Sequence, residues 1–366
     1  MATLTISTHG VMEEGGSYNL HAKIPAGGGS LALPYLEKAA QSCTLSPGSN
    51  AIVIADYGSS QGKNSLSPMH VAIRCLRTRV GNERCLMVVH VDQHANDFNA
   101  LFDVLHRDPE RYALDDPYVF PCAIGRSFYE SVFPQGQVDL GWCSYAAVWL
   151  SRIPALIPGH FMSVGSTGHV QAAFDLQAAE DWRLFLSLRA RELRTGGRLV
   201  IVLPGLSDTG GSGFEPLFNS ANAVLSELVD ERVIGDDERK RMVLGAYPRR
   251  MAQLLEPFRA DGQFQSLSVE NCELFDLPDA AWTDYQVDGD LQALVGRHAA
   301  FFRAIFVPSL SSSISDGGKR HGFADCLEQK LKRRLSERPT PLHSFVQVMV
   351  LAKQSSTDTD RPEATK

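Results

Sequence analysis

Unbroken apolar runs alternate along this chain with longer stretches of helical spacing. Residues 50 to 58, NAIVIADYG, read as a buried parallel strand that ends in an Asp and a Gly. A helix over PMHVAIRCLRTRV follows, with Pro68 in its first turn. The run RCLMVVHVD ends at Asp92, the helix NDFNALFDVLHR comes next, and YVFPCAI and VDLGWCS are further strands. A long helix around AAEDWRLFLSLRARELR leads into the strand GGRLVIVLPG. Strand-helix alternation of this kind predicts an α/β, doubly wound, mostly parallel sheet. After Gly210 the rhythm becomes helical as far as about Arg259, and FQSLSVENCELF and SFVQVMVLAKQ then add two strands. Helices inserted between late strands predict a cap over the carboxyl ends of the sheet, where such folds bind ligands.

Five segments follow: an N-terminal arm (1–49), a core (50–210), a helical cap (211–262), remaining strands and cap helices (263–352) and a disordered tail (353–366). PAGGGSLALP, near residue 30, reads as a flexible connection between arm and core. A net charge of −7 over 366 residues gives no basic surface for nucleic acid, and 44% hydrophobic content is ample for a core. The one dense basic cluster, Lys330 to Arg334, suits the solvated side of an amphipathic helix. Seven scattered cysteines fit a reducing compartment, and no apolar window is long enough to span a membrane, so a cytoplasmic protein without a membrane partner is expected. The eleven histidines lack metal-ligand spacing, and no metal is expected.

The loop IADYGSSQGKNSLSP has three residues between Gly58 and Gly62 and Asn64 after Lys63, which disqualifies a Walker phosphate loop; the dinucleotide fingerprint fails as well. Asp56 ends the first strand and Asp92 the second, where an acidic group can accept both hydroxyls of a ribose. Gly58, Ser59, Ser60 and Gly62 allow close backbone approach, and N–H groups at the following helix start favour a carboxylate as readily as a phosphate. A nucleoside with an amino-acid tail, S-adenosylmethionine, meets both conditions, although a strand-Asp-Gly loop is also an ordinary α/β turn. Lys63 faces solvent in this reading, and Asn64 either caps the helix or touches the ligand.

Several segments in order, GGSYNLHA, ADYGSSQGKNSL, VDQHANDFNALF, RSFYESVFP and GWCSYAAVWLSRIP, and then others through HAAFFRAIF, resemble the SABATH carboxyl and N-methyltransferases over nearly the whole chain. The resemblance implies a seven-stranded, Rossmann-like methyltransferase sheet, S-adenosylmethionine as cofactor with S-adenosylhomocysteine as product, and a possible homodimer. It assigns Ser17 and Tyr18 to the closing arm, Asp56, Gly58, Ser59, Asn64 and Cys143 to the cofactor's surroundings, Asp92 and Gln93 to ribose and adenine, and Ser127 and Phe128 to the adenine edge. For the acceptor it implies Trp149 as donor to a substrate carboxylate, with Tyr145 and Val148 beside it. Two positions depart from the pattern: Val148 stands where the family has His, and Pro25 falls where it has a carboxylate-binding Gln. His21 and Lys23 are the candidate replacements. Phe214, Phe218, Trp282, Tyr285, Phe301 and Phe302 are candidates for the acceptor pocket wall.

The activity this implies is esterification of a small-molecule carboxylic acid by in-line methyl transfer. A carboxylate with a pKa of about 4 is already ionised and needs no general base. N-methylation of a small heterocycle and a catalytically idle, cofactor-binding scaffold are the alternatives.

Overall fold

The computed structural model describes residues 10, 12–48 and 50–355, so the ends of the arm and the tail expected from sequence lie outside the described residues. One sheet contains eight strands: β1 (Ile52–Tyr57), β2 (Leu86–Asp92), β3 (Val119–Gly125), β4 (Val138–Ser144), β5 (Leu193–Pro204), the two-residue β6 (Gln263–Phe264), β7 (Leu267–Pro278) and β8 (His343–Lys353). Their order is β3-β2-β1-β4-β5-β8-β7-β6. The first five run parallel, while β8 lies antiparallel between β5 and β7. Seven long strands thus form the doubly wound sheet, and β6 adds a short hairpin at one edge.

Strand periodicity divides the core between two faces. Ile52 and Ile54 of β1, with Val200 and Val202 of β5, pack under helices Leu33–Ser42 and Lys63–Val80. Ala55, Tyr57, Leu199 and Ile201 point to the opposite face, against the Gly168–Glu192 helix and the cap. Charged groups inside this core are paired. Arg189 and Glu192 are fully buried at 2.9 Å, and Glu192 also accepts from Tyr57 and the backbone of Val132.

Three elements differ from the sequence reading. The Lys63–Val80 helix starts five residues before Pro68, so this proline sits inside it, where it cannot donate to the carbonyl four residues back. PAGGGSLALP is not a loose connection: helices Lys23–Leu31 and Leu33–Ser42 run through it, and Gly28 and Gly29 are buried. A Cβ on Gly28 would lie 2.3 Å from the Tyr145 hydroxyl, so close packing accounts for the glycine there. The basic cluster is not simply solvated, since Lys330 and Arg334 reach Glu231 and Glu227, each at 2.6 Å, and join the Gly317–Glu337 helix to Glu215–Asp230.

The chain leaves β1 toward β2 and β3 on one side, and β4 lies on the other, which opens a crevice at the carboxyl ends of β1 and β4. Two insertions roof it. One lies between β5 and β6 and the other, with helices Ala280–Asp288, Leu291–Ser311 and Gly317–Glu337, between β7 and β8. Stacked and edge-on contacts among Phe214, Phe218, Phe301 and Phe306 join the two insertions.

Candidate active site

Two adjoining cavities occupy the crevice, with about 720 and 710 Å³ of empty space, counting the parts open to solvent. They share Met12, Tyr18, Tyr145 and Trp149. The first lies over the ends of β1 and β2, and Gly58, Ser60, Gln61, Asp92, Gln93 and Phe128 line it.

Asp92 organises this first cavity. One carboxylate oxygen accepts from the Ser60 N–H at 2.7 Å and the other from the Gln93 N–H at 2.8 Å. Burial pushes its carboxyl up from 3.8 to about 6, against the pull of those two donors. Each oxygen keeps a second lone pair. Ser60 turns the loop in a left-handed conformation, φ +49°. Gly58, at φ +88°, passes so close to Ala146 that a Cβ on it would lie 2.0 Å from the alanine Cβ.

The arm closes the first cavity. Gln61 donates to the Glu13 carbonyl at 2.7 Å, Asn19 donates to the Gln61 carbonyl and accepts from the Lys63 N–H, and Asp97 accepts from the Gly15 N–H. On the cap side, Arg303 binds the Glu13 carboxylate at 2.8 Å, and the Glu13 N–H donates to the Ala304 carbonyl. Asn19, Gln61 and Asp97, absent from the sequence reading, therefore fasten the arm; the lone signal for Asn19 is its place directly after Ser17-Tyr18.

The second cavity is walled by Ile24, Pro25, Val148, Met162, Phe214, Phe218, Phe301 and Phe306, among others, and no charged side chain among the described residues lines it. Trp149 and Tyr145 stand where it meets the first. Among the described residues no hydrogen bond engages the Trp149 indole N–H; its ring packs on Phe306, and its carbonyl accepts from Tyr129. Tyr145 follows β4 in a left-handed conformation, φ +57°, uncommon for a bulky residue. Burial pushes its phenol up to about 12, so it stays a hydrogen-bond donor.

The expected site residues divide accordingly. Tyr18, Gly58, Asp92, Gln93, Phe128, Tyr145, Val148 and Trp149 line one cavity or both. Asp56 instead lies beneath the loop, 2% exposed, accepting from Ser65 and bound to His90 at 2.9 Å. Strand alternation likewise turns Cys143 into the core and leaves Ser144 to face the first cavity. Ser59 is buried without lining either cavity. Ser17 donates to Glu13, Asn64 donates to the Ala22 carbonyl, and Ser127 accepts from the Tyr129 N–H, so these three support the arm and the loops. Lys63 pairs with Asp108 and Glu110. His21 and Lys23 do not enter the acceptor cavity. Both are exposed on a separate cavity, because the turn at Ala22 points them away from the Pro25 side. Of the aromatic candidates, Phe302 packs behind the wall, while Trp282 and Tyr285 pair with each other on the Ala280–Asp288 helix.

The residues of the first cavity fit a positively charged nucleoside. Glu14, Asp92 and Asp97 line it without a Lys or Arg, which disfavours a phosphate and suits a sulfonium. Among the described residues, Ser60 Oγ and Gln61 Oε1 are buried without hydrogen-bond partners at the border of this cavity, two unsatisfied polar groups beside the nucleoside space. Fold and site together define a doubly wound methyltransferase fold with an apolar chamber beside the first cavity.

Residues 6–354 match the family model described as SAM dependent carboxyl methyltransferase, and the chain belongs to that family, with S-adenosylmethionine as its cofactor. Among its relatives is a loganic acid O-methyltransferase of Catharanthus roseus, 32% identical over 203 residues, 50% of this chain and 52% of that one. The chain thus aligns with about half the length of that relative. A 3,7-dimethylxanthine N-methyltransferase of Camellia sinensis var. assamica is 26% identical over 77% of this chain and 80% of its own. The salicylate carboxymethyltransferase of Clarkia breweri is 26% identical over 65% and 67%. A solved structure of loganic acid methyltransferase with SAH superposes with a TM-score of 0.76 at 23% identity, covering 94% of this chain and 99% of that one, and agrees in fold.

Proposed function

We propose that this chain moves the methyl group of S-adenosylmethionine onto the carboxylate of a small organic acid with a bulky apolar body, forming its methyl ester. The observation that carries this reading is the shared wall: Trp149 and Tyr145 stand between a carboxylate-lined nucleoside cavity and a chamber of aromatic and aliphatic side chains. The cofactor supplies an electrophilic methyl carbon on a sulfonium.

Asp92 would take the ribose hydroxyls, Gln93 and the ring of Phe128 would flank the adenine, and Ser60 with Gln61 would meet the amino-acid tail. Trp149 donates its indole N–H to one oxygen of the acceptor carboxylate and leaves the other free to attack. The acceptor chamber has no cation to hold the carboxylate back, and its apolar wall excludes water, so the anion meets the sulfonium with little competing hydration. Holding acceptor oxygen, methyl carbon and sulfur in line supplies roughly 7–11 kcal/mol of barrier reduction. The arm, held by Glu13, Asn19 and Gln61, keeps that geometry. Attack by the carboxylate oxygen would return the carbon–sulfur electron pair to sulfur, and these residues would have no proton to move.

N-methylation of a heterocyclic amine is the second reading, favoured by Val148 and Pro25, which leave one carboxylate donor fewer. A cytosolic setting belongs to the proposal, supported by seven free cysteines; so does a homodimer, on family resemblance alone. No helix among the described residues is long and apolar enough to cross a membrane. The test is to supply labelled S-adenosylmethionine with a panel of apolar carboxylic acids and heterocyclic amines. Labelled methyl esters support the proposal, and label confined to amines overturns it.

A further inference from the structure

We infer that a third cavity receives the far end of the acceptor acid and selects a second anionic group there, so that elongated aliphatic dicarboxylic acids are preferred substrates. This rests on the carboxyl-methylating reading above. The third cavity shares Ile24, Phe214 and Phe301 with the acceptor chamber, on the side away from Trp149. These three come from separate segments, so no continuous backbone has to part to join the chambers. Phe214 and Phe301 stack at 5.8 Å and form the partition, and passage of a long acid requires one of these rings to turn aside.

Beyond the partition the wall is mainly hydrocarbon, with Leu277 and Leu342 inside and Leu20 at the rim, 68% exposed. A large apolar side chain so exposed beside an apolar hollow suits a bound alkyl chain. The charges of this cavity are unevenly engaged. His298 is bound to Asp279 at 2.8 Å, and Arg297 pairs with Asp284. Lys23 and His21 have no ion-pair or hydrogen-bond partner among the described residues. An acid with one carboxylate at Trp149 and its chain through the partition brings a second carboxylate to this rim. Methyl transfer then occurs at the inner oxygen, and the product is a half-ester with its outer carboxylate still ionised. Turning that half-ester around would put a neutral ester against Lys23, so the half-ester accumulates.

The experiment compares kcat/KM for α,ω-dicarboxylic acids and monocarboxylic acids of equal chain length, with a short monocarboxylic acid as reference, in wild type, Lys23→Glu and Ala281→Trp. Lys23 is exposed in the first turn of its helix, where an acidic residue suits the helix dipole, so the charge reversal leaves folding intact. The expected advantage of the long diacid over its monoacid is about fivefold at low salt, the upper range for an exposed pair, and it shrinks as salt rises. In Lys23→Glu the ratio drops to one or below, and in Ala281→Trp, which fills the third cavity, KM rises for long acids more than for the short one. A long diacid no better than its monoacid, or a Lys23→Glu ratio equal to wild type, overturns the inference while esterification of the short acid still stands. If no acid of any length is methylated, the underlying reading falls with it.

Discussion

In the proposed reading, replacing Asp92 by alanine removes the acceptor for both ribose hydroxyls. Hydrogen bonds to a charged group contribute about 1.5–3 kcal/mol each, so a loss of about 3 kcal/mol is the conservative expectation, roughly 100-fold in affinity for S-adenosylhomocysteine. Asp92 also holds the Ser60 and Gln93 N–H groups, and alanine frees those as well. Asp92→Asn separates the two effects, because it keeps the shape and one acceptor but no charge.

The pH dependence gives a second readout. With its carboxyl raised from 3.8 to about 6 in the folded protein, the stability from this group is fully present below its unfolded value and is lost as pH rises through about 6. That difference is worth up to about 3 kcal/mol. Cofactor binding runs the opposite way, since the ribose needs the ionised form. At pH 5 only about a tenth of Asp92 is ionised in the free protein, so affinity is about tenfold weaker than at pH 8. Calorimetric titration of S-adenosylhomocysteine across pH 5 to 8 is the assay, with the Asn variant as the control that removes the slope. An Asp92→Ala protein within twofold of wild type, or a flat wild-type profile, refutes the reasoning.

Trp149→Phe keeps an aromatic ring but loses the indole N–H and some volume, so KM for the acid rises about 10- to 100-fold while S-adenosylhomocysteine affinity, measured calorimetrically, stays within a fewfold. Gly58→Ala forces a Cβ against Ala146 in a left-handed backbone, costing about 2–4 kcal/mol in strain and overpacking, read as a lower Tm and lost cofactor binding. Gly28→Ala displaces the Tyr145 ring, and steady-state kinetics then show acceptor KM rising more than cofactor KM. Glu13→Ala unties the arm from Arg303 and removes the Ser17–Glu13 bond within it, and kcat/KM falls for both substrates while thermal unfolding of the core shifts little.

Strand-forming runs were legible because period and length alone identify a buried parallel strand, and Asp92 and Gly58 follow directly from where two such runs end. Asp56 shows the limit of that reading. It ends its strand as Asp92 does, yet His90 and Ser65 draw it into the core, a contact between distant segments that no local pattern records. The Gly-rich stretch misled in the same way: three consecutive glycines look flexible, but Gly28 and Gly29 form the smooth face of a helix against Tyr145 and Ser144. His21 and Lys23 lay close enough in sequence to Pro25 to look like its substitutes. One turn of backbone puts them on the other side of Ile24.

The most direct measurement of the central claim is the chemical lability of the transferred methyl group. After incubation with methyl-labelled S-adenosylmethionine and an apolar carboxylic acid, the product is treated with mild base. Labelled methanol is expected, because base cleaves an ester. Label that survives base on a nitrogen, or no transfer with any acid while the cofactor binds, would contradict it.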